Sequence, residues 1–576
     1  MSVLLLYPLF TLLLQIVFPD VFNYHMSWKP SLSAIKQVMS NPLDLTAVSN
    51  SFWIGAIAAI VSIIIGTITA FGAQMARGWL RAFLNGCIWV IFFAPSFVIA
   101  SGWVILLQPD GILQLAFNLS PNLFNCFFSP VGLFLVMGLR YFPFAHFAMS
   151  QAIQNVGFEY VNAARMLGAS KRQVFFRIWV RLLSPALFAG ATIAFAEGFG
   201  DFGLAAVITP QMQIPIVSYQ IYQSLYASPV DFSSAAVLSF LVTIITAAAL
   251  LLQFWWLNRR SYTTVSSSSR TSGVWPGKGS KLVVGLAVVI SFLGLILPFG
   301  ATLLQSFWKD GQGGFGASNW TLHAYASALS VGNDGVAALG RSLEYAIIAA
   351  VVTAIVGLYV AMQMTFNKTL ISKILNTLTM ATIAIPGLVL AVGFVFAWNA
   401  QWLIPWHLVL YETPVCLAMA YIAGHMPYTI RLQLSSLAQI SPNLLTAAST
   451  LGAKKRSIIR RIVIPLVRET VISTILITFT GVIFELPAAT LLYPPGQPPF
   501  SVLIQQKFNA FMWSQGSALT IIGMAIVLTS YIVGNLVLKK VFGQKNSSGM
   551  TAAFGAVATG SQADSATTYN AAGGTS

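Results

Sequence analysis

Asn162-Ala163-Ala164-Arg165-Met166-Leu167-Gly168-Ala169-Ser170-Lys171-Arg172 returns 284 positions later as Thr446-Ala447-Ala448-Ser449-Thr450-Leu451-Gly452-Ala453-Lys454-Lys455-Arg456. Each copy follows a hydrophobic run and carries clustered positive charge. Upstream, Pro143 and Pro427 keep the same offset. Further back, Ser51 and Ser342, Gly66 and Gly357, Pro95 and Pro386, and Gly102 and Gly393 match at an offset of 291. The step from 291 to 284 places a seven-residue length difference in the intervening outside loop. Several Pro and Gly matches in one order are a poor fit to coincidence, so the chain reads as a tandem duplication.

The surrounding sequence says what was duplicated. Of 576 residues, 57% are hydrophobic and 8% charged, against about 25% charged in soluble domains. Apolar runs such as 57–75 and 521–538 are long enough to cross a hydrocarbon core about 30 Å thick. Spans are expected near 3–19, 51–75, 83–107, 129–152, 184–208, 232–257, 282–306, 341–364, 374–398, 413–438, 470–493 and 517–538. The expected fold class is an all-α polytopic membrane protein of about twelve transmembrane helices, arranged as two parallel six-helix repeats. With an even number of spans each, both halves enter the membrane the same way and pack about an axis along its normal. The first half covers 1–258 and the second 282–542. Between them, 259–281 is rich in Ser, Thr, Gly and charge and reads as a cytoplasmic linker. The Ala, Gly, Ser and Thr of 543–576 cannot bury enough apolar surface to order a tail.

A net charge of +16 invites a nucleic-acid reading, but its distribution argues otherwise. About 23 of the 30 Lys and Arg fall on loops sharing one face, the positive-inside bias that places this face in the cytoplasm. No nucleic-acid partner is expected; the lipid bilayer is. Cys87, Cys126 and Cys416 are isolated and no Cys/His cluster exists, so neither a metal site nor a disulfide framework is suggested. The apolar N-terminus lacks a basic leader and reads as a retained first helix, short and interrupted by Pro8.

Local chemistry predicts a bent pair of short helices in each repeated segment, within loops 153–183 and 439–468. Ser441-Pro442 supplies an N-cap with Pro at the first helical position. Gly157 takes the cap position of the first copy, and Glu159 in its first turn suits the helix dipole. Gly168 and Gly452 end these helices, because Gly enters the left-handed region without a Cβ penalty. Ser170 with Gln173 reads as a capping box for the helix that follows.

At these residues the chain resembles the permease subunits of ATP-binding-cassette importers. Their cytoplasmic signature runs Glu-Ala-Ala, three residues, Gly, nine residues, Ile-x-Leu-Pro. The second copy fits with Ala447, Ala448, Gly452, Ile462, Ile464 and Pro465; Thr446 replaces the Glu. The first fits with Ala163, Ala164, Gly168 and Ile178; Asn162 replaces the Glu, and Val180-Arg181 stand where Leu-Pro is expected. The resemblance implies a type I importer permease without cofactor in this chain. It implies that each loop docks on one of two ATPase subunits, and that an extracytoplasmic binding protein delivers the ligand to outside loops near 210–231 and 494–514. The setting would be the inner membrane of a prokaryote. No phosphate loop is present in the sequence, so ATP hydrolysis is expected on a separate subunit.

Acids at membrane depth are costly and mark polar paths or structural pairs. Glu197 and Asp201 stand four apart in the fifth span, hence on one helix face, and Glu485 matches Asp201 at the 284 offset. All three are candidate path-lining residues; pairing of an acid with Arg140 or Arg431 is the structural alternative. Pro95 and Pro386 are further path candidates, read mainly as ordinary kinks. The stretch from Phe484-Glu485-Leu486-Pro487 to Pro495-Gly496 and the run Asp201-Phe202-Gly203 resemble fused ferric-iron permeases, with thiamine, polyamine and phosphonate permeases as near relatives. Two other classes compete. An ion-driven carrier would use the acids to move protons, and a membrane enzyme would use Glu197 and Asp201 as an acid/base pair. The sequence sets no nucleophile or metal ligand beside them, so no catalytic residue is expected.

Overall fold

The computed structural model describes residues 2–22, 26–118, 120, 125–156, 159–258, 279–310, 313–330, 334–367 and 369–542. The expected N-cap Gly157, most of the linker and the whole tail lie outside these residues. The first half contains α1 (Tyr7–Val17), α2 (Pro42–Met75), α3 (Gly78–Phe93), α4 (Ser96–Leu107), α5 (Pro130–Val156), α6 (Glu159–Met166), α7 (Val180–Phe199), α8 (Phe202–Met212), α9 (Val217–Tyr226) and α10 (Phe232–Asn258). The second repeats that order as α11 (Ser280–Ser306), α12 (Asp334–Phe366), α13 (Leu370–Ile383), α14 (Gly387–Trp398), α15 (Pro414–Leu437), α16 (Pro442–Thr450), α17 (Ile464–Ile483), α18 (Pro487–Leu492), α19 (Phe500–Asn509) and α20 (Trp513–Phe542). Among the described residues, nine helices are long and apolar enough to cross a membrane, and one bent pair makes a tenth span. The two remaining expected spans are the 15 residues of Val3–Val17 and the more polar α15. Pro8 does not interrupt the first of these. A π-helical turn, Ser2–Leu6, runs directly into α1 at this point, and the helix continues through Pro8.

Each half packs a three-helix bundle, α2 with α5 and α7, and α12 with α15 and α17. Repeat-matched small residues let these helices close. A Cβ on Gly66 would lie 2.6 Å from Ala145 Cβ, and one on Gly357 would lie 2.9 Å from Thr429 Cγ2. The matched serines act alike too. Ser51 Oγ accepts the Val217 N–H at 2.8 Å, and Ser342 Oγ accepts the Phe500 N–H at 2.9 Å. They pin the starts of α9 and α19.

The first helix of each half crosses to the other half. α1 packs on α14, and α11 packs on α4. Gly393 faces the Pro8 carbonyl and Gly102 faces the Pro298 carbonyl. Tyr7 donates its hydroxyl to the Ala397 carbonyl at 2.9 Å. α4 and α14 are therefore covered on every side, which suits two helices that are apolar all round.

The expected kinks at Pro95 and Pro386 are complete breaks. Pro95 (φ −63°, ψ 147°) and Pro386 (φ −60°, ψ 147°) sit at the N-caps of α4 and α14, outside any helix. The bend between α13 and α14 is 111°. The pyrrolidine removes a donor, and the preceding Ala94 is pushed to extended backbone (ψ 130°).

Candidate translocation junctions and coupling elbows

The breaks create two equivalent junctions deep in the protein. Asp201 is not on the face of a continuous fifth helix with Glu197. α7 ends at Phe199, and Asp201 is the N-cap of the separate α8. Its Oδ1 accepts the Leu204 N–H at 3.3 Å and the Ser96 hydroxyl at 2.7 Å. Asp201 thus joins the start of α8 to the start of α4, just past Pro95. Glu485 repeats the arrangement, its two oxygens each accepting a backbone N–H, from Ala488 and Ala489, at 3.1 Å. Where the first half has Asp201 with Ser96, the second has the longer Glu485 with Gly387, whose Cβ position lies 3.8 Å from Glu485 Oε1. The Glu485 carboxylate thus lies in contact with the position that carries the Ser96 side chain in the other copy. Both junctions are held from behind by a hydroxyl. Ser218 donates to the Asp201 carbonyl at 2.7 Å and Ser501 to the Glu485 carbonyl at 2.6 Å.

The junctions meet along the seam between halves. A Cβ on Gly200 would lie 2.7 Å from Pro386, and Thr246 donates its hydroxyl to the Ala384 carbonyl at 2.8 Å. Pro386 therefore touches the first junction directly. Glu197 lies in the last turn of α7, within electrostatic reach of Arg140, Asp201 and Tyr428. Arg140 Nε and Nη1 are buried without a hydrogen-bond partner among the described residues. Arg431 turns elsewhere and donates to the Asn376 carbonyl at 3.5 Å. The 284 offset carries Arg140 to Gly424 and Glu197 to Gly481, so the second half lacks this charged set.

The cap geometry makes a prediction. Asp201→Asn keeps an acceptor oxygen for Leu204 and should leave the melting temperature in detergent near that of the parent. Asp201→Ala should lower stability by about 1–2 kcal/mol, the worth of an N-cap. Equal melting temperatures for parent and Ala variant would remove the capping role.

On the basic face, the repeated segments form elbows. α6 ends with Gly168 at φ +82° and α16 with Gly452 at φ +79°. The Gly168 N–H bonds the Arg165 carbonyl and the Ala169 N–H bonds the Ala164 carbonyl, both at 3.0 Å. In the second copy Gly452 bonds Ser449 at 2.9 Å and Ala453 bonds Ala448 at 3.1 Å. This is the Schellman closure, which satisfies the last carbonyls of a helix. Ser170 and Gln173 form the reciprocal capping box, at 2.9 and 3.3 Å. Ser441 occupies the N-cap position, but its hydroxyl makes no capping bond.

Ala163 and Ala447 are exposed, whereas Ala164 and Ala448 are half-buried, Ala164 against a core cluster that includes Trp179 and Leu183. Leu167 and Leu451, just before each glycine, are both 88% exposed. Ile178 and Ile462 lie in matching π-helical turns, Phe175–Trp179 and Ile459–Val463, and exposed Pro465 opens α17 directly after the second.

Each elbow runs straight into the helix that ends at an acid junction. Arg172–Phe199 and Lys455–Ile483 are single spans of 28 and 29 residues, about 42 Å of helix at 1.5 Å per residue. Sequence reading started these spans, at 184 and 470, 12 and 15 residues after the helices begin at Arg172 and Lys455, because their basic first turns lower the local hydropathy. It also missed Ser96, Ser218 and Ser501. Alignment of the two halves could have flagged the last two, which follow their acids by 17 and 16 residues.

Two breaks, two capped acids and two elbows on one twofold plan define a class: a helical transport subunit built as a tandem permease. The profile of the family described as "Binding-protein-dependent transport system inner membrane component" matches residues 62–261 and 353–542. The chain belongs to this family, as a fused permease carrying two family units, and is a multi-pass inner-membrane protein. The two matches begin 291 positions apart, the offset of the upstream Ser, Gly and Pro pairs. A putative ferric transport system permease protein, FbpB 1, of Haemophilus influenzae is 26% identical, covering 80% of this chain and 73% of its own length. The ferric transport system permease FbpB of Actinobacillus pleuropneumoniae is 25% identical over 88% of this chain and 74% of its own length. A putative 2-aminoethylphosphonate permease, PhnV, of Salmonella paratyphi A is 26% identical, covering 44% of this chain and 93% of its own length.

Proposed function

We propose that this permease carries ferric iron, delivered by an extracytoplasmic binding protein, along the seam between its halves. Two separate ATPase subunits dock on the elbows at Gly168 and Gly452. The observation that carries this reading is the unbroken helix from each elbow to an acid junction. Force applied at Gly168 or Gly452 reaches Asp201 or Glu485 through one continuous span, which includes a π-helical turn near its start. Ala163, Ala447, Leu167 and Leu451 offer the docking contacts, with Ala164, Ala448, Ile178, Ile462 and Pro465 as the support beneath them. Glu197, Asp201 and Glu485 line the path, where the Pro95 and Pro386 breaks bring capped helix ends to the seam. Carboxylate oxygens suit a hard cation, and the two ferric permease relatives support iron as the ligand. The phosphonate permease supports a second reading, an anionic ligand held by Arg140.

Reconstitution with the cognate ATPase and binding protein tests both. Radiolabelled ferric iron should enter vesicles when ATP is supplied, and an uncoupler at clamped ATP should leave the rate unchanged. Collapse with the uncoupler would establish an ion-driven carrier instead; uptake of aminoethylphosphonate without iron would move the ligand to the second reading. Asp201→Asn should cut iron uptake at least tenfold while the cap survives. Unchanged uptake would rule out an essential charge there.

A further inference from the structure

At the outer mouth, five tyrosines from both halves converge above the acid junctions. Tyr219, Tyr222 and Tyr226 lie along one face of α9, at spacings of three and four residues. Their rings pack in sequence, tilted by 33° and then 36°, with centroids 5.9 Å and then 4.4 Å apart. Tyr226 donates its hydroxyl to the Thr490 carbonyl of the other half at 2.7 Å. Three residues after Thr490, Tyr493 follows the end of α18 and stands within electrostatic reach of Tyr222 and Tyr226. Tyr411 and Glu412, hydrogen-bonded to each other, approach Tyr226 from the outside segment between α14 and α15.

The position is as informative as the composition. Ser218, near the start of α9, holds the Asp201 carbonyl, and Tyr226 is eight residues on, about 12 Å along the helix. Glu485 caps α18, and Tyr493 is likewise eight residues on. On both sides of the seam, then, the same short chain spacing links this cluster to an acid junction.

We propose that Tyr222, Tyr226, Tyr411 and Tyr493, with Glu412, form a receiving site for a ferric ion at the outer mouth of the path. The proposal rests on the iron reading above. A ferric ion is a hard cation that takes oxygen ligands, and phenolate is an established iron ligand. Burial raises the pKa of both Tyr226 and Tyr411, with neighbouring phenols adding to it at Tyr226 and Glu412 at both. Each phenol that ligates forms an Fe–O bond, breaks its O–H bond and releases the proton to bulk water. No electron transfer is involved. Because the donors come from both halves, separation of the halves disperses the site and releases the ion inward.

The test is spectroscopic. Purified full-length protein in detergent is titrated with ferric nitrilotriacetate, and a phenolate-to-iron charge-transfer band should appear in the visible and saturate near one iron per chain. Tyr222→Phe with Tyr493→Phe keeps both rings and the Tyr226–Thr490 bond. It should match the parent in elution and melting but need roughly tenfold more iron for half-saturation. No band in the parent, or the same titration in the double variant, overturns the site. Iron uptake by cells expressing the parent separates the two failures. Uptake without a band leaves the ligand reading standing and removes this site. Neither uptake nor band removes both, and a band without uptake marks adventitious binding and removes both.

Discussion

Gly102→Val should destabilise the protein more than any loss of a helix cap or elbow. A Cβ at Gly102 would sit 2.4 Å from the Pro298 carbonyl oxygen and 2.8 Å from its carbonyl carbon. Those atoms are backbone of α11, so no rotamer change relieves the clash. α11 must withdraw from α4, and with it goes the contact through which the second half reaches across the first. Overpacking costs about 1–3 kcal/mol where neighbours can adjust, and a backbone obstacle places this site at or above the top of that range. In lipid, helices associate through close packing because apolar burial offers little gain between them, so a displaced backbone contact is hard to replace. The matched Gly393, facing the Pro8 carbonyl at 2.9 Å, should respond in the same direction but less strongly. Gly86 is the control, because a Cβ there meets nothing within 4 Å. Thermal unfolding in detergent, read by size-exclusion fluorescence, should rank Gly102→Val below Gly393→Val and Gly86→Val near the parent. A Gly102→Val protein melting with the parent would disprove the swapped packing of the first helices.

The second large effect is on coupling and leaves the membrane part intact. A Cβ at Gly452 also meets nothing within 4 Å, so any penalty there is conformational. At φ +79° an ordinary L-residue pays about 1–2 kcal/mol, and a β-branched one more. The elbow helix has no buried residue of its own to resist unwinding. Gly452→Val should therefore abolish the Schellman closure, turn Leu451 away from its present direction, and cut ATPase co-purification at least tenfold. Melting in detergent should not change. Gly452→Asn should recover much of the binding, because Asn tolerates the left-handed region. Recovery by Asn separates a backbone requirement from crowding in the partner's groove, where Asn and Val would both fail. Normal co-purification of the Val variant would remove the elbow account. The same series at Gly168 should behave alike.

What could be read before any coordinates was whatever depends on neighbours in the chain. Ser170 and Gln173 form their capping box, and Gly168 and Gly452 take positive φ, because the hydrogen bonds involved close over short stretches of chain. The duplication placed Ser51 with Ser342 and Gly66 with Gly357 in equivalent roles without any structural knowledge. Local reading failed where two local tendencies compete. Asp201 stands in an apolar stretch that suits a continuous helix, yet its carboxylate caps a new one, because Ser96 and Ser218 arrive from elsewhere to hold the turn. The severity of the Pro95 and Pro386 breaks was hidden for the same reason. A proline kinks a helix by itself, but a full break persists only when other elements take up the freed ends, as the Thr246 hydroxyl does for the Ala384 carbonyl.

The crossing of α1 and α11, the seam and the tyrosine cluster belong to tertiary structure alone. A duplicated apolar chain states roughly how many spans to expect, how the two halves correspond, and which face is basic. It does not state which apolar surface meets which, because in a bilayer lipid-facing and helix-facing residues have nearly the same composition. Only the close fit of backbones at Gly102 with Pro298 and at Gly393 with Pro8 makes that choice, and such a fit exists only once both halves are assembled.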